Sequence, residues 1–172
     1  PPYVAQAVIA TEDRRFYEHS GVDARSIFRA AAVNLIKRRK AQGASTLTQQ
    51  VAKNLFLSPE KTMKRKVQEL LLSLWLEHKL TKDQILTVYL NRVYFGAGTY
   101  GIEAAAQKYY GVRAKKLTLY QAAVLAGLLK APTRYNPLTH PQAADKRARL
   151  VLANMVKAGF VSAKKALNAA ET

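Results

Sequence analysis

Apolar residues return every three or four positions along almost the whole chain, and no stretch of strict alternation is long enough for an ordinary strand. The pattern predicts an all-α fold. Val4 and Val8 begin an amphipathic helix whose stripe Glu12 continues, and Phe16 and His19 follow at the same spacing should the helix last that far. Ile27, Phe28, Ala31, Leu35 and Ile36 share one side of a second helix, which Asp23 can cap. Leu47, Val51 and Leu55 form the next stripe, behind "TLTQ" (residues 46–49). That tetrad is a capping box, in which a threonine and the glutamine three residues later satisfy each other's backbone N–H groups. "TKDQ" and "TLYQ" repeat the box from Thr81 and Thr118. Ser58-Pro59 reads as an N-cap with proline behind it, opening a helix to about His78 with Met63, Val67, Leu70, Leu71 and Leu74 as its core face. His140-Pro141 starts the last long helix, and Gly111 and Gly159 sit where glycines end helices.

Two segments interrupt the periodicity. "KRRKAQGAS" (residues 37–45) is a basic run followed by glycine and small polar residues, which predicts a mobile loop; "FGAGTYG" (residues 95–101) predicts a tight backbone feature between helices. Ala104, Ala105 and Ala106 behind it are small enough for close helix packing. At 172 residues the chain can bury one sizeable core, so residues 1–172 read as a single domain, its abrupt start suggesting a piece of a longer protein, with any membrane anchor outside it. The greasiest run, "ELLLSLWLEH", falls far short of the roughly 20 apolar residues that span a bilayer. With no cysteine, disulfides and thiolate metal sites are excluded. Lysine and arginine number 28 against 11 acids, a formal charge of +17 that attracts polyanions, whether nucleic acid, an anionic membrane surface or a phosphorylated substrate.

Against that basic background the acids stand out. Glu12 prolongs an apolar stripe, so burial should raise its pKa and make it a better base, with Asp13 pushing the same way; the plain alternative is a surface acid paired with Arg14 or Arg15. Thr46, Gln50 and Lys53 line one face of the capped helix, where free N–H groups, hydroxyls, amides and a lysine make a phosphate or sugar cradle. An ordinary capped helix with polar residues outward reads equally well. Lys66 and Glu69 can form an ion pair worth only tenths of a kcal/mol on an exposed helix. Residues 27–40 combine an apolar face with four terminal cations, as an interfacial helix on anionic lipid would, or as a core helix with a charged end. No zinc-binding spacing, nucleotide-binding loop or nucleophile elbow is present.

In order and spacing, "EDRRFYEHSG", "GASTLTQQ", "RKVQE" and "YLNRVYFGAGTYGIEAAA" resemble the successive motifs of the peptidoglycan glycosyltransferases, the glycan-polymerising domains of class A penicillin-binding proteins and their monofunctional relatives. "AGLLKAPTRYNP" adds a fifth similar segment, and the resemblance covers about residues 2–158. It implies a lysozyme-like helical fold with a head lobe and a smaller membrane-associated jaw. The implied substrates are lipid II and the growing glycan strand, at the outer, periplasmic face of the bacterial cytoplasmic membrane, with a transpeptidase domain in bifunctional parents. By the same resemblance Glu12 matches the general base and Glu69 the second essential carboxylate. Asp13, Phe16 and His19 match the base's companions; Ser45, Thr46, Gln49, Gln50 and Lys53 match donor-site contacts; Arg65 and Lys66 match cations at the leaving pyrophosphate. No cofactor and no resident metal is implied, although magnesium or manganese could approach the pyrophosphate beside Asp13 or Glu69. Two positions depart from the pattern, Gln84 and Thr87 standing where relatives often carry acids. A lytic transglycosylase of lysozyme-like fold is the rival enzyme, but it needs no cations for a pyrophosphate. A basic nucleic-acid-binding helical module is the rival of another class; cations spread over several helices, with no recognition helix, argue for no nucleic acid.

Overall fold

The computed structural model describes residues 2–18, 46–57 and 62–171. Its helices are α1 (Pro2–Glu12), α2 (Leu47–Val51), which runs on as a π-helix (Ala52–Phe56), α3 (Met63–Lys79), α4 (Lys82–Arg92), α5 (Ile102–Tyr110), α6 (Leu119–Leu128), α7 (Pro141–Lys157) and α8 (Ala163–Glu171), with a 3₁₀ turn at Ala114–Lys116. Among the described residues there is no strand, only an isolated antiparallel bridge between Tyr94 and Tyr100. The fold is all-α.

The local signals act where the sequence puts them. All three threonine boxes close: Thr46 N–H donates to Gln49 Oε1 at 2.8 Å, Thr81 N–H to Gln84 Oε1 at 2.9 Å and Thr118 N–H to Gln121 Oε1 at 3.0 Å, each glutamine N–H returning a bond of 3.1 Å to the threonine hydroxyl. His140 caps α7 with Pro141 in its first turn, and Gly111 closes α5 in the left-handed region at φ 64°. In the glycine-rich loop Gly101 has φ +88°, and a Cβ there would lie 2.5 Å from the Asn91 carbonyl oxygen, so only glycine fits.

The chain forms two compact units, one of Pro1–Arg14 with Tyr89–Thr172, the other Arg15–Val88. In the first, α6 is apolar all the way round ("LYQAAVLAGL"), and a helix of that kind belongs in the middle of a core. Every residue from 122 to 128 is buried, and α1 and α7 pack on it with Val4, Val8, Ala148, Val151 and Met155, all fully buried. In the second, α2 packs on α3. Its interior holds Phe16, Leu47, Val51 and Ile85, but also Thr46, Thr48, Gln49, Glu69 and Ser73.

Several expectations need correction. α1 ends at Glu12, and Phe16 lies in a following turn rather than on the helix, though it is fully buried. α3 starts at Met63, where the Thr62 hydroxyl accepts the Arg65 N–H at 3.1 Å; Ser58 and Pro59 lie outside the described residues. Most of the stripe assigned to its core is on the outside: Met63 is 79% exposed, and Val67, Leu71 and Leu74 are exposed with it, Leu70 alone being partly buried. Glu69, Ser73 and Leu76 are buried instead. Periodicity tells which side chains share a face, not what the face meets. Leu55 is exposed as well, because the switch from α to π winding after Val51 turns later residues off the stripe. Of the three alanines only Ala105 and Ala106 are buried. The Asp23-capped helix, the loop at 37–45, His19 and Ser45 lie outside the described residues.

Candidate functional site

In the first unit, α1 delivers two acids at its C-terminal end. Val4 and Val8 are pinned in the core, so the same stripe brings Glu12, half-buried, to the last turn. Asp13 is buried at 7% exposure, its N–H continuing the helix ladder to Ile9 O at 3.1 Å. From the C-terminal end of α4, which falls in the same unit, Tyr89 comes close enough to feel the charge on Glu12. Burial first, and that carboxylate second, push its phenol well above the ordinary value, so Tyr89 stays neutral. Arg14 donates to Asn154 Oδ1 on α7 at 3.3 Å.

In the second unit Phe16 is packed edge-on against Tyr17, with the Lys82 ammonium 4.8 Å above its ring. Arg15 pairs with Glu18 at 3.2 Å. On α2 the Thr46 hydroxyl and the Gln49 carbonyl close the box, which leaves Gln49 Nε2 buried with no hydrogen-bond partner among the described residues. Such a donor is costly unless something comes to accept from it. Gln50 is half-buried and Lys53 exposed on the π-turn. On α3, Lys66 Nζ meets Glu69 Oε1 at 3.0 Å, and Ser73 Oγ donates to the Glu69 carbonyl at 2.7 Å. This is not a solvated surface pair: the Glu69 side chain is 6% exposed and that of Lys66 46%, so the acid is inside and its cation reaches out. Arg65 donates to Gln68 Oε1 one turn on.

Gln84 and Thr87 have structural work. The Gln84 amide closes the α4 box, which a glutamate would also do, and the Thr87 hydroxyl donates to Asp83 O at 2.8 Å. Sequence reading missed a polar cluster behind α2. Glu77 Oε1 accepts from the Thr48 hydroxyl and from Lys82 Nζ, each at 2.7 Å. A spacing of 29 residues to Thr48 and five to Lys82 matches no helical pair, so no local signal could have shown it. Among the described residues, no group of three or more histidines, cysteines or acids could hold a metal, and no helix is long and apolar enough to cross a membrane.

Comparison with known proteins decides the family. The model of the family described as Transglycosylase matches residues 1–156. The chain belongs to the transglycosylase family. It is 51% identical over 162 residues to penicillin-binding protein 1A of Escherichia coli (strain K12), covering 94% of this chain and 19% of that protein. It is 52% identical over 163 residues to penicillin-binding protein 1A/1B of Bacillus subtilis (strain 168), covering 94% and 18%. The chain thus spans about a fifth of the length of the curated relatives it matches. The crystal structure of penicillin-binding protein 1A from Haemophilus influenzae superposes with a TM-score of 0.52 at 36% identity, over 54% of this chain and 14% of that one. The rival readings draw no support from these matches.

Proposed function

We propose that this transglycosylase-family chain polymerises lipid II into β-1,4-linked glycan strands. The observation that carries the reading is the family match, which spans residues 1–156 and so takes in every motif residue from Glu12 to Glu69. Glu12 takes the proton from the 4-hydroxyl of the acceptor's N-acetylglucosamine as that oxygen attacks the anomeric carbon of the donor strand's N-acetylmuramic acid. The new C–O bond forms opposite the leaving group, so α becomes β. The old one breaks with its electron pair leaving on undecaprenyl pyrophosphate. Asp13, Phe16 and His19 serve the base; Ser45, Thr46, Gln49, Gln50 and Lys53 hold the donor; Arg65 and Lys66 meet the pyrophosphate, and Glu69 is the second carboxylate.

Two observations support these roles. Glu69 is a buried acid fastened to Lys66, which fixes the ammonium before any charge develops; fixed cations act most where charge grows, and losing one such donor typically costs about 10²- to 10³-fold in rate. The buried Gln49 Nε2, unpartnered among the described residues, sits at the helix start, where a donor's oxygens could accept from it.

The proposal includes docking on the anionic outer, periplasmic face of the bacterial cytoplasmic membrane, where residues 27–40 were expected to act. The exposed stripe Met63, Val67, Leu71, Leu74 and Trp75 adds support from the described part of the chain. Each side chain would gain on the order of 1 kcal/mol on leaving water, and nearby cations about as much again on anionic lipid. For the parent protein, a transpeptidase domain beyond this chain is part of the proposal, since the relatives are named for penicillin binding and are about five times longer. A magnesium or manganese ion at the pyrophosphate is not required by the mechanism; a chelator that abolishes turnover would install one.

The test is lipid II polymerisation by this chain with and without moenomycin, the family's donor-site inhibitor. Polymer that moenomycin suppresses is the expected result. Cleavage of isolated sacculi without lipid II turnover would make the chain lytic, and salt-sensitive duplex binding without turnover would make it a nucleic-acid module.

A further inference from the structure

The Thr48–Glu77–Lys82 cluster lies outside every residue assigned above, and it joins three helices of the second unit. Thr48, on α2, is fully buried. Its hydroxyl donates to Glu77 Oε1 on α3 at 2.7 Å, and the same oxygen takes Lys82 Nζ of α4 at 2.7 Å. The Glu77 and Lys82 side chains are only 10% and 19% exposed. Lys82 in turn stands 4.8 Å above the ring of Phe16. Burying such a pair is poor strategy for stability alone, because apolar side chains of similar size usually stabilise as well or better. What an apolar contact lacks is direction.

Direction is what α2 needs. It has five α-helical residues before the winding changes, so it has little intrinsic definition of its own. Successive helix positions are about 100° apart, so Gln50, two beyond Thr48, points roughly 200° round from it, away from α3. Fixing Thr48 on Glu77 therefore fixes which way Gln50 faces. We infer that Glu77, fastened by Lys82, is a positioning residue that locks the Thr48 face of α2 onto α3 and thereby aims Gln50 at the donor substrate. This rests on the polymerase reading given above, with Gln50 as a donor contact.

The experiment is a double-mutant cycle of Thr48→Val and Glu77→Leu, read by lipid II titration and by amide hydrogen exchange across residues 47–51. Each single variant is expected to raise the apparent KM about tenfold, as loss of one hydrogen bond to a charged group allows, with kcat changed by less than about threefold. Thr48→Ser keeps the bond and is expected to stay near the parent, while Glu77→Gln keeps an acceptor for Thr48 but loses the Lys82 ion pair and is expected to fall between the parent and Glu77→Leu. The double variant is expected to be no worse than Glu77→Leu alone, since that variant already removes the Thr48 bond along with the Lys82 pair. Exchange protection of α2 should fall in the same pattern. Additive effects, or Thr48→Val matching Thr48→Ser in KM, would overturn the inference. So would a fall in melting temperature with KM and kcat unchanged, which is what a purely structural contact gives. Should Thr48→Val fail to fold, Glu77→Gln against Glu77→Leu decides the same point. An unmutated chain that does not polymerise lipid II would sink the parent reading, while the exchange cycle would still report whether Glu77 holds α2.

Discussion

The two units of this chain obey opposite rules. In the first, α6 is buried from residue 122 to 128 and almost wholly apolar, and what packs on it is valine, alanine and methionine. In the second, α3 turns Glu69 and Ser73 inward and Met63, Leu71 and Trp75 outward. An inverted helix of this kind is not stabilised by water outside and oil inside. It fits a unit that meets something apolar on its outer face and something polar on its inner one. The first unit is a conventional apolar scaffold that carries half-buried Glu12 and buried Asp13; the second gives up core quality for a polar interior.

The largest effect should come from the scaffolded acid. Glu12→Gln keeps the shape of the side chain and removes the carboxylate proposed as base, so lipid II polymerisation should fall by at least about 10³-fold, base removal and loss of its charge acting together. The melting temperature should move by no more than about 2 °C, as for substitutions that leave packing intact. A folded Glu12→Gln chain with near-normal turnover would remove the base from the mechanism and erase the functional side of the contrast.

Next come the cations of the second unit, assayed as alanine variants across a lipid II titration. Lys66, held by Glu69 at 3.0 Å, is expected to act as the bond breaks, so Lys66→Ala should lower kcat by about 10²-fold with little change in KM. Lys53 is exposed on the π-turn and is expected to meet the distal phosphate, so Lys53→Ala should raise KM about tenfold and spare kcat. If both variants lose only affinity, these residues capture substrate and the leaving group is stabilised from elsewhere.

The inverted face itself can be tested by pairing one substitution in each unit. Leu71→Glu with Trp75→Glu should weaken binding to anionic vesicles about tenfold or more while leaving stability within about 0.5 kcal/mol, as for exposed sites. Leu125→Ala, in the fully buried centre of α6, should do the reverse, costing about 3 kcal/mol of stability and leaving vesicle binding unchanged. Should the glutamates on α3 destabilise as severely as the α6 alanine, the stripe is a core face and the contrast between the units fails.

What the sequence made legible was local. A threonine and a glutamine three apart can satisfy each other only at a helix start, so all three boxes formed, and His140-Pro141 and Gly111 marked ends for equally local reasons. Four motifs in order were specific enough to name the family, which no single one of them was. The illegible features depend on partners distant in sequence. Met63, Val67 and Leu71 share a face whatever it meets, and only packing of α2 on the opposite side turns that face outward. The π-turn that takes Leu55 off its stripe has no residue signature, and Glu77 finds Thr48 across 29 residues. Gln84 shows the converse: its cap bond to Thr81 is a local pairing visible in the sequence all along.

The smallest effect is one of pH, and it tests whether the conventional unit carries its own electrostatic seam. Between α6 and α7, the Tyr120 hydroxyl donates to Asp145 Oδ1, and Arg149 Nε donates to Oδ2 of the same carboxylate at 2.9 Å. The tyrosine bond first, and the arginine bond second, hold Asp145 below the ordinary carboxylate range. Burial first, then the bond to Asp145, pushes the Tyr120 phenol up to about 12. An acid with a lowered folded pKa contributes stability above its unfolded value of about 3.9, and that contribution is lost as pH falls through it toward the folded value. A phenol with a raised folded pKa contributes below its unfolded value of about 10, and the contribution is lost as pH climbs from 10 toward 12. Melting temperature should therefore drop at both ends. Asp145→Asn should flatten the acid limb and Tyr120→Phe the alkaline one, each by only a few degrees because the carboxylate is 41% exposed and partly screened. The second unit has a similar pair, Tyr17 donating to Asp83 at 3.0 Å, with the Tyr17 phenol likewise raised by burial and then by that bond. If Tyr17→Phe rather than Tyr120→Phe removes the alkaline limb, the pH-sensitive contact belongs to the inverted unit and the conventional one is held by packing alone.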